Sequence, residues 1–485
     1  MILRTVIWFV TVVASHPNAP LDLIEWLSWG HEWQWGSAKH PPLPAWIADV
    51  FSELSPGDVW GVYLAGYLVT AGCLLAAWQL GRRYLSDRYA LIACLCLDGL
   101  MYYTNDPAEF SNNVMLNLGW AWLIVFFDRA IHDGSFWSWI AVGITAGLTL
   151  LCKYTVGVLF IVFALYILFD RDARKCLRTT GPYLAAVMAI VIVMPHLRWL
   201  WDHQFITFRY ARERSTETDV DWTSHFFHPA MFVLGQTIYL LPVFLVLLPL
   251  LSFRGRSPEQ QDVRRRTLFL HFVVLGPVAL LLGLSIATGC VLREIWGSPL
   301  WTFYGVWFLA NFRKAASATS YRWAIRCWVI MAIALLAFSV VKMTGGPYLS
   351  MKPFREHFPG KQLAHEVNAL WAARYGGLPP IIGGEPWLAG NVCCYSKHRP
   401  HLYSSGKVNV PEMRPEDTTW VNDEMMNRLG GVILWDADAD GDVLRADLRE
   451  RFPRVEVLTP ITLPYETNAK ITPTRVGVAF VPPQR

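Results

Sequence analysis

Charged residues are scarce in this sequence. Asp, Glu, Lys and Arg together make up 16% of its 485 residues, whereas 54% are hydrophobic and the mean hydropathy is +0.30. Soluble globular domains carry about 25% charged residues. This shortage excludes an ordinary soluble domain and predicts an integral membrane protein. The net charge of +4 is small and scattered along the chain, so we expect no nucleic-acid partner.

Several recognisable site patterns are also missing from the sequence. It has no Gly-rich phosphate loop or Walker pattern, and its acidic residues and histidines show no metal-ligand spacing. Most of the nine cysteines lie in or beside apolar segments, where they act as small hydrophobes. Cys393 and Cys394 are adjacent, and neighbours in sequence rarely form a good disulfide. We therefore expect neither a disulfide framework nor a resident metal.

What the sequence does contain is a series of apolar segments. A helix that crosses the hydrocarbon core needs about 20 apolar residues, so several of these segments need tilt or polar extensions. The first carries Arg4 near its start, but no small-residue cleavage site leads from it into a soluble domain, so we count it as a span rather than a signal peptide. The sequence predicts a polytopic α-helical membrane protein with about 11 transmembrane helices, at 2–15, 59–80, 89–103, 114–127, 136–151, 155–169, 182–199, 229–251, 268–287, 300–309 and 323–341.

Lys and Arg collect in alternate loops between these segments. With the N-terminus inside, seventeen lie in the predicted cytoplasmic loops and seven in the opposite loops. Because cytoplasmic loops carry the excess of Lys and Arg in membrane proteins, this topology is favoured. It places the loop around Asp22, the Asp106 loop, Lys153, the Arg209 loop and Arg293 on the outer side, together with the C-terminal tail.

The character of the chain changes at about residue 345. The tail is richer in Pro, Gly and charge and has no apolar run of spanning length. Strand-like pieces at 378–382, 431–435 and 455–458 and a helical stretch at 360–374 predict a small soluble α/β domain of about 140 residues. We therefore expect a transmembrane catalytic domain at 1–344, whose outer loop 16–57 carries the main motif, and a soluble domain at 345–485.

The first outer loop holds acidic residues beside an apolar wall. Asp22 follows the first span, and Glu25 comes one helical turn later. Such acids are costly to desolvate and point to function, although an acid at a helix N-terminus is also stabilised by the helix dipole. Lys39 and His40 precede two prolines, which fix a rigid extended turn. His40 is either a structural part of this turn or a substrate contact.

Other candidates lie on the predicted outer side. Asp106 either caps the following helix or takes part in function. Lys153, followed by Tyr154, is a cation between two apolar helices, and it needs either an acid such as Asp106 or the phosphate of a lipid-linked ligand. Arg209 lies in an aromatic and basic loop that suits an interfacial helix or a headgroup contact. Arg293 precedes another apolar segment and can reach a phosphate.

Separated motifs carry a resemblance to a known family. The first outer loop has Asp22, then Trp35 and Gly36, then the run His40, Pro41, Pro42 and Leu43, with a Trp shortly after. Further on stand TNDPAEFSNN, GLTLLCKYT, WGSPLW and GGEPWLAGNVCCYSKHRP. Over nearly the full length, this pattern resembles the membrane glycosyltransferases of the protein O-mannosyltransferase and aminoarabinose-transferase superfamily, and within it a bacterial branch of family 39.

The resemblance implies a GT-C fold with a soluble C-terminal domain. It implies transfer of a sugar from a polyprenyl-phosphate carrier to an acceptor, with inversion, at the periplasmic face of a bacterial inner membrane. Asp22 matches the catalytic aspartate and Lys153 a lysine near the carrier phosphate. The sequence departs from the pattern at Leu23, where an acid is common and for which Glu25 could substitute. It departs again at Lys39, which replaces an aspartate and could alter sugar or acceptor preference.

The predicted function is an inverting glycosyltransferase with Asp22 as general base. It would need no cofactor, since a lipid phosphate is a good leaving group that needs chiefly cationic stabilisation. We expect a glycolipid or lipopolysaccharide acceptor, with protein O-glycosylation as the alternative. A transporter or a non-catalytic glycan- or lipid-binding protein remains open, although we find no inverted repeats. The predicted substrate-binding residues are Glu25, Lys39, His40, Asp106, Lys153, Tyr154, Arg209 and Arg293.

Overall fold

Helices dominate the computed structural model, which describes residues 1–215, 220–251, 264–312, 317–350, 353–404, 420–465 and 470–484. Four of the basic residues that support the predicted topology, Arg254, Arg256, Arg313 and Lys314, lie outside these ranges. The helices before the tail are α1 (Ile2–Ser15), α2 (Leu21–Gly30), α3 (Leu43–Ser52), α4 (Trp60–Tyr84), α5 (Asp87–Leu95), α6 (Asn112–His132), α7 (Phe136–Leu150), α8 (Gly157–Phe169), α9 (Gly181–Asp202), α10 (Ile206–Ser215), α11 (Ser224–Leu247), α12 (Arg264–Thr288), α13 (Tyr304–Phe312) and α14 (Ala318–Ser350).

Among the described residues, six helices are long and apolar enough to cross a membrane. They are α4, α6, α9, α12, α14 and α11 with its short continuation to Leu250. Helices α1, α7 and α8 are apolar but have only 14, 15 and 13 residues. The prediction of a polytopic helical membrane protein is confirmed, whereas the number of spans stays a prediction.

Two of the predicted spans are not single long helices. In the segment 89–103, α5 ends at Leu95 and is followed by the 3-10 turns Cys96–Gly99 and Met101–Tyr103, separated by extended backbone at Leu100. In the segment 300–309, α13 begins only at Tyr304 and has nine residues. A nine-residue helix is about 13.5 Å long, less than half of the hydrocarbon core. Apolar composition alone does not reveal such breaks.

The chain divides into two compact units. The helical unit comprises Met1–Trp8, Gly66–Pro107 and Asn112–Phe338, and the loop-tail unit comprises Phe9–Ala65, Ala108–Ser111 and Ser339–Arg485. The first outer loop, predicted as part of the transmembrane domain, therefore groups with the tail. Within the loop-tail unit, the tail begins six residues before the predicted boundary at residue 345.

The helical unit is packed around aromatic side chains and contains buried charge. Helices α7 and α9 pack together, as do α6 and α7 and α8 and α12. Phe127 stacks on Phe163 with 3.8 Å between ring centroids. Arg4 forms an ion pair with Asp98 at 2.7 Å, and Trp328 Nε1–H donates to the other carboxylate oxygen at 3.0 Å. Charges this deeply buried are tolerated because they are paired and hydrogen-bonded.

The tail of the loop-tail unit contains a mixed sheet. Its strands are β1 (Ile381–Gly384), β2 (His401–Ser404), β3 (Gly431–Asp436), β4 (Glu456–Val457), β5 (Ile461–Leu463) and β6 (Thr474–Val481), and its helices are α15 (Gly360–Tyr375), α16 (Pro386–Tyr395), α17 (Asp423–Leu429), α18 (Ala437–Asp440) and α19 (Ala446–Arg451). The strand order is β2-β1-β3-β6-β4, with β5 paired to β6. Strands β1, β2 and β3 are parallel, and β6 runs antiparallel to β3.

Helices cover both faces of this sheet. On one face, Ile381, Ile433 and Ala479 pack with Met426 of α17 and Leu448 of α19. On the other, α15 contributes Trp371, whose ring lies edge-on to Phe480, while α16 packs on β1. The apolar runs of β1 and β3 are buried throughout apart from Asp436, as expected for strands covered on both faces.

Candidate active site

Helix α2 presents its acidic residues on the part of its surface that is still accessible. Leu21, Asp22 and Glu25 are half-buried, and the other residues of this helix, all of which the structure describes, are buried. Asp22 lies in the first turn, and Pro20 at the N-cap position provides no side-chain cap. The positive end of the helix dipole favours the ionised form of a carboxylate there. The predicted base is therefore accessible on a helix that is otherwise packed.

The structure brings four of the predicted residues into one loop. Lys39 Nζ forms an ion pair with Glu25 Oε1 at 2.8 Å and lies 5.8 Å from the ring centroid of Trp29. His40 stacks on Trp26 with 5.5 Å between ring centroids and an interplanar angle of 24°. The main-chain carbonyl of His40 accepts hydrogen bonds from the amide and hydroxyl of Ser37, which close the turn. Asp22, Glu25, Lys39 and His40 thus share one compact segment.

The remaining tryptophans of the loop form a second aromatic group. Trp33 stacks on Trp46 with 5.7 Å between centroids, and Trp35 lies edge-on to Trp46 at 4.8 Å. Trp33 has a φ of +47° and donates its indole N–H to Asp49 at 2.8 Å. A left-handed tryptophan is strained, and such strain persists only where surrounding contacts hold it. These contacts order the loop that follows α2.

Arg399 of the tail joins α2 to α3. Its guanidinium donates to Asp49 on α3, to Ser52 Oγ at 2.7 Å and to the main-chain carbonyl of Leu27 on α2 at 2.9 Å. Both side chains of the Arg399 and Asp49 pair are largely buried. Gly30 lies at the helix crossing, where an added Cβ would fall 2.2 Å from the carbonyl oxygen of Ala45. The two helices that frame the motif are therefore fixed by a residue about 350 positions away.

Two histidines flank this junction and have shifted pKa values. His401 Nδ1–H donates to Glu32 at 2.9 Å, and this hydrogen bond raises the pKa of His401. Burial lowers the pKa of His31, and the positive charge of Arg399 lowers it further. The two imidazole rings lie 5.6 Å apart. Their pKa values are therefore shifted in opposite directions from the ordinary histidine value.

Lys153 and Tyr154 belong to the helical unit. Lys153 Nζ donates to Asn113 Oδ1 at the start of α6. The hydroxyl of Tyr154 is hydrogen-bonded to His196 Nε2 at 2.6 Å and to Thr207 at 3.1 Å, and its ring stacks on Phe208. Lys153 is only half-buried.

Three more predicted residues lie in the helical unit. Asp106 is half-buried and begins the 3-10 turn Asp106–Glu109. Arg209 is exposed on α10, which confirms a helix in the basic and aromatic loop. Arg293 is exposed and precedes the 3-10 turn Glu294–Gly297, whose Glu294 contacts Tyr239. The predicted residues therefore fall into two sets, four on the first outer loop and five in the helical unit.

Sequence reasoning missed Asp49, Arg399 and Asn113. Asp49 left a weak signal, because it is an acid inside the otherwise apolar helix α3. Arg399 left none, because its partners are hundreds of residues away.

Within the described ranges, no three His, Cys, Asp or Glu side chains are grouped as metal ligands would be.

Part of the chain matches a protein-family model. The model described as dolichyl-phosphate-mannose-protein mannosyltransferase matches residues 39–199. This region runs from Lys39 to the last turn of α9 and includes His40, Asp106, Lys153 and Tyr154. It covers one third of the chain.

Two curated relatives come from Rhizobium johnstonii. The lipid A galacturonosyltransferase RgtD is 23% identical over 253 residues, which cover 50% of this chain and 51% of that protein. The lipopolysaccharide core galacturonosyltransferase RgtA is 23% identical over 381 residues, covering 74% of this chain and 72% of that protein. The match thus spans about half the length of the first relative and more of the second.

Solved structures show similarity over the whole chain. ArnT from Cupriavidus metallidurans bound to undecaprenyl phosphate superposes with a TM-score of 0.64 at 15% identity, covering 100% of this chain and 98% of that one. The apo form of the same protein gives a TM-score of 0.61 at 14% identity, with the same coverage. At this identity the likeness shows the fold, which agrees with the family model and the curated relatives. The chain thus has the fold of ArnT and is similar to membrane glycosyltransferases of the GT-C type.

Proposed function

We propose that this protein is an inverting glycosyltransferase that moves a sugar from a polyprenyl-phosphate donor to a hydroxyl of a cell-envelope glycolipid, in particular lipopolysaccharide or lipid A. The observation that carries the proposal is the half-buried Asp22 in the first turn of an otherwise buried α2. An ionised carboxylate in this position is suited to accept a proton. The curated relatives, which act on lipid A and the lipopolysaccharide core, support this acceptor class.

The reaction we propose is a single displacement. Asp22 takes the proton of the acceptor hydroxyl while its oxygen attacks the anomeric carbon of the sugar. The bond between that carbon and the phosphate oxygen breaks, and the polyprenyl phosphate leaves with the bonding electrons. Inversion follows because attack and departure occur on opposite faces of the carbon.

Charge develops on the departing phosphate, and cations stabilise it. Lys153 is the first candidate, since a half-buried ammonium is a good point-charge partner for phosphate. Arg209 and Arg293 are exposed cations that can contribute to phosphate binding. Undecaprenyl phosphate in the ArnT structure supports a polyprenyl phosphate as the lipid. We propose that the site works at the periplasmic face of the bacterial inner membrane and without a cofactor.

Protein O-glycosylation is the second candidate function. It is favoured by the family model, whose description names a protein mannosyltransferase. A protein acceptor would present a serine or threonine hydroxyl to the same base, so the chemistry of Asp22 would be unchanged. The two functions differ only in the acceptor.

Sugar transfer by the purified protein in detergent tests the proposal. Polyprenyl-phosphate sugars serve as donors, with membrane glycolipid extract or periplasmic protein as acceptor, in the presence and absence of EDTA. We expect transfer to glycolipid that survives EDTA and falls at least 1,000-fold in Asp22→Asn, within the range of a lost general base and its positioning. Asp58→Asn is the matched control, because Asp58 pairs with Lys361 at the protein surface.

Each other outcome contradicts a defined part of the proposal. Equal activity of wild type and Asp22→Asn would reject the assigned base. Transfer to protein alone would reject the glycolipid acceptor, and loss of transfer in EDTA would reject the cofactor-free mechanism. Absence of transfer with every donor would favour a binding or transport role.

A further inference from the structure

The tail contains a cavity that the proposed reaction does not use. It has a volume of about 690 Å³, within the range that small ligands occupy. Its lining belongs to the tail alone and includes the ends of β1 and β3, the start of α16 and residues near β6. No residue of the lining is among those assigned above to sugar transfer.

The cavity lies at the point where the chain connections of the sheet diverge. From β1 the chain passes through α16 to β2 on one side, whereas from β3 it continues to β4 and β6 on the other. In open α/β sheets, ligands bind outside the carboxyl ends of the strands at such a switch point. The topology therefore predicts a ligand site independently of the cavity itself.

At the edge of this opening, Gly384 allows the end of β1 to lie very close to β3. Gly384 has a φ of +113°, and a Cβ there would fall 1.9 Å from the carbonyl oxygen of Leu434. The next amide, of Glu385, donates to that same oxygen at 2.8 Å. The end of β1 is thus held against β3, and Glu385 and Asp436, which follow or end these strands, both line the opening.

The charges that line the cavity are balanced. Arg355, Arg445 and Arg475 supply three cations, and Glu385, Asp436 and Asp440 supply three carboxylates. Glu385 accepts a hydrogen bond from the amide of Leu388 at 2.8 Å, so the N-terminus of α16 is capped by its own acid. A phosphate would meet this carboxylate at the helix end that phosphates normally occupy. The lining therefore disfavours nucleotides and sugar phosphates.

Carboxylates only accept hydrogen bonds and guanidinium groups only donate them, whereas a hydroxyl does both. A ligand rich in hydroxyl groups can therefore hydrogen-bond to both kinds of group in this lining. Half-buried Trp387 and Tyr465 add aromatic surface, and Trp387 is supported by Phe358 at 5.6 Å and by Arg355 over its ring. Such rings combine an apolar face with a polar edge, and a pyranose ring likewise has an apolar face and a rim of hydroxyls.

We propose that the tail cavity binds a sugar ring of an oligosaccharide, as a second carbohydrate site separate from the residues assigned to transfer. A peptide is disfavoured because peptides commonly add along an exposed strand edge, whereas this cavity lies beyond the ends of inner strands. The inference goes beyond the proposed function and does not depend on it. A glycan held here would bring the acceptor to the protein while leaving its reacting hydroxyl elsewhere.

Direct binding by the full-length protein in detergent tests the proposal. The probe is lipid-free core oligosaccharide released from lipopolysaccharide, observed by saturation-transfer NMR and titration. We expect binding that weakens roughly tenfold in Trp387→Ala and also weakens in Asp440→Asn, whose exposed position makes misfolding a poor explanation. Trp420→Ala is the matched control, because Trp420 belongs to the same domain but packs on the core outside the cavity lining.

The other outcomes overturn the proposal. They are absence of oligosaccharide binding at millimolar concentration, equal loss in Trp387→Ala and Trp420→Ala, and preferential binding of inorganic phosphate or of a peptide. Asp22→Asn separates this inference from the proposed function, since it should bind the oligosaccharide as wild type does. Oligosaccharide binding without sugar transfer would leave the second site standing and reject only the transferase.

Discussion

The burial of Leu23 and the ion pair of Lys39 with Glu25 account for the two departures of this chain from the motif it resembles. An acid is common immediately after the catalytic aspartate, but here Leu23 is fully buried, so an acid at that position would be desolvated at high cost. An aspartate is common before the histidine, but here Lys39 forms an ion pair with Glu25. The changes are therefore linked, since Lys39 balances the acid that is present one turn after Asp22.

Charge exchange between these residues tests the linkage. Lys39→Glu would place two carboxylates side by side beside Asp22, so we expect at least a tenfold fall in kcat/KM for sugar transfer. The double change Glu25→Lys with Lys39→Glu restores an opposite pair and should recover most of the loss. A double variant no more active than Lys39→Glu would show that the pair does not act as a unit.

The pKa shifts of His31 and His401 predict that these two residues change the pH dependence of stability in opposite ways. The pKa of His401 is raised, so the free energy that its pair with Glu32 adds to folding is fully present below pH 6.5, the ordinary histidine pKa. This stabilisation is lost as pH rises through the raised pKa. The lowered pKa of His31 means that stability falls as pH drops below 6.5. The substitution His401→Gln should therefore lower the free energy of unfolding most at acid pH and little at alkaline pH. The loss should stay below about 1 kcal/mol, because the pair is partly exposed.

Unfolding in detergent at pH 5.5, 7 and 8.5 measures this effect, with His31→Gln as the matched control. That variant should instead flatten the acid side of the profile. A His401→Gln effect that is constant with pH would contradict the assigned ion pair.

Residue types and local spacing were enough to identify Asp22, Glu25, Lys39 and His40 as one candidate group, because they lie within 19 positions of each other. The same reasoning left open whether Lys153 binds an acid or a phosphate, and the structure adds the contact with Asn113. It could not find Arg399, since an arginine before a proline in a polar segment has no distinguishing pattern. Contacts distant in sequence have no local signature.

Among the helices, α2 and α3 are held by the tail of their own unit. Helix α16 packs on α2, and Gly390 is so close to Ile24 that an added Cβ would lie 2.5 Å from its Cγ2 atom. The hydroxyl of Tyr395 accepts a hydrogen bond from the amide of Ala19 just before α2. The position of Asp22 therefore depends on tail residues that take no part in chemistry.

Arg399→Ala tests this dependence. It leaves the carboxylate of Asp49 without one of its buried partners, and loss of one member of a buried ion pair costs about 3–5 kcal/mol. We expect a clear fall in the thermal midpoint in detergent and a loss of transfer. Arg374→Ala is the control, because the Arg374 pair with Glu456 is exposed and worth less than about 1 kcal/mol. Similar midpoints for the two variants would contradict the role of Arg399.

Hydrophobic periodicity located most elements but not their interruptions. The helix predicted at 360–374 is α15, and the strand predicted at 431–435 is β3 with one further residue. The segments 89–103 and 300–309 are not single spans, because extended backbone at Leu100 and the turns before Tyr304 break runs whose composition is mostly apolar. Strand order could not be predicted, because pairing of β3 with β6 joins residues 40 to 50 positions apart.

The whole molecule has a predicted orientation in the membrane. The excess of Lys and Arg in alternate loops predicts that the tail is outside and the turn Ala173–Arg178 inside. The proposed function requires this arrangement, since the donor sugar, Asp22 and the tail must face the same compartment as the acceptor. The proposed reaction is therefore possible only in this membrane topology.

Labelling of introduced cysteines with a membrane-impermeant maleimide tests this topology. Val443 and Leu177 are exposed on the tail and on the predicted inner turn, respectively. In intact spheroplasts we expect Val443→Cys to react and Leu177→Cys to react only after lysis, each measured against the parent protein with its native cysteines. The reverse pattern would place the tail in the cytoplasm. A periplasmic acceptor could not then be the substrate, whatever activity the purified protein shows in detergent.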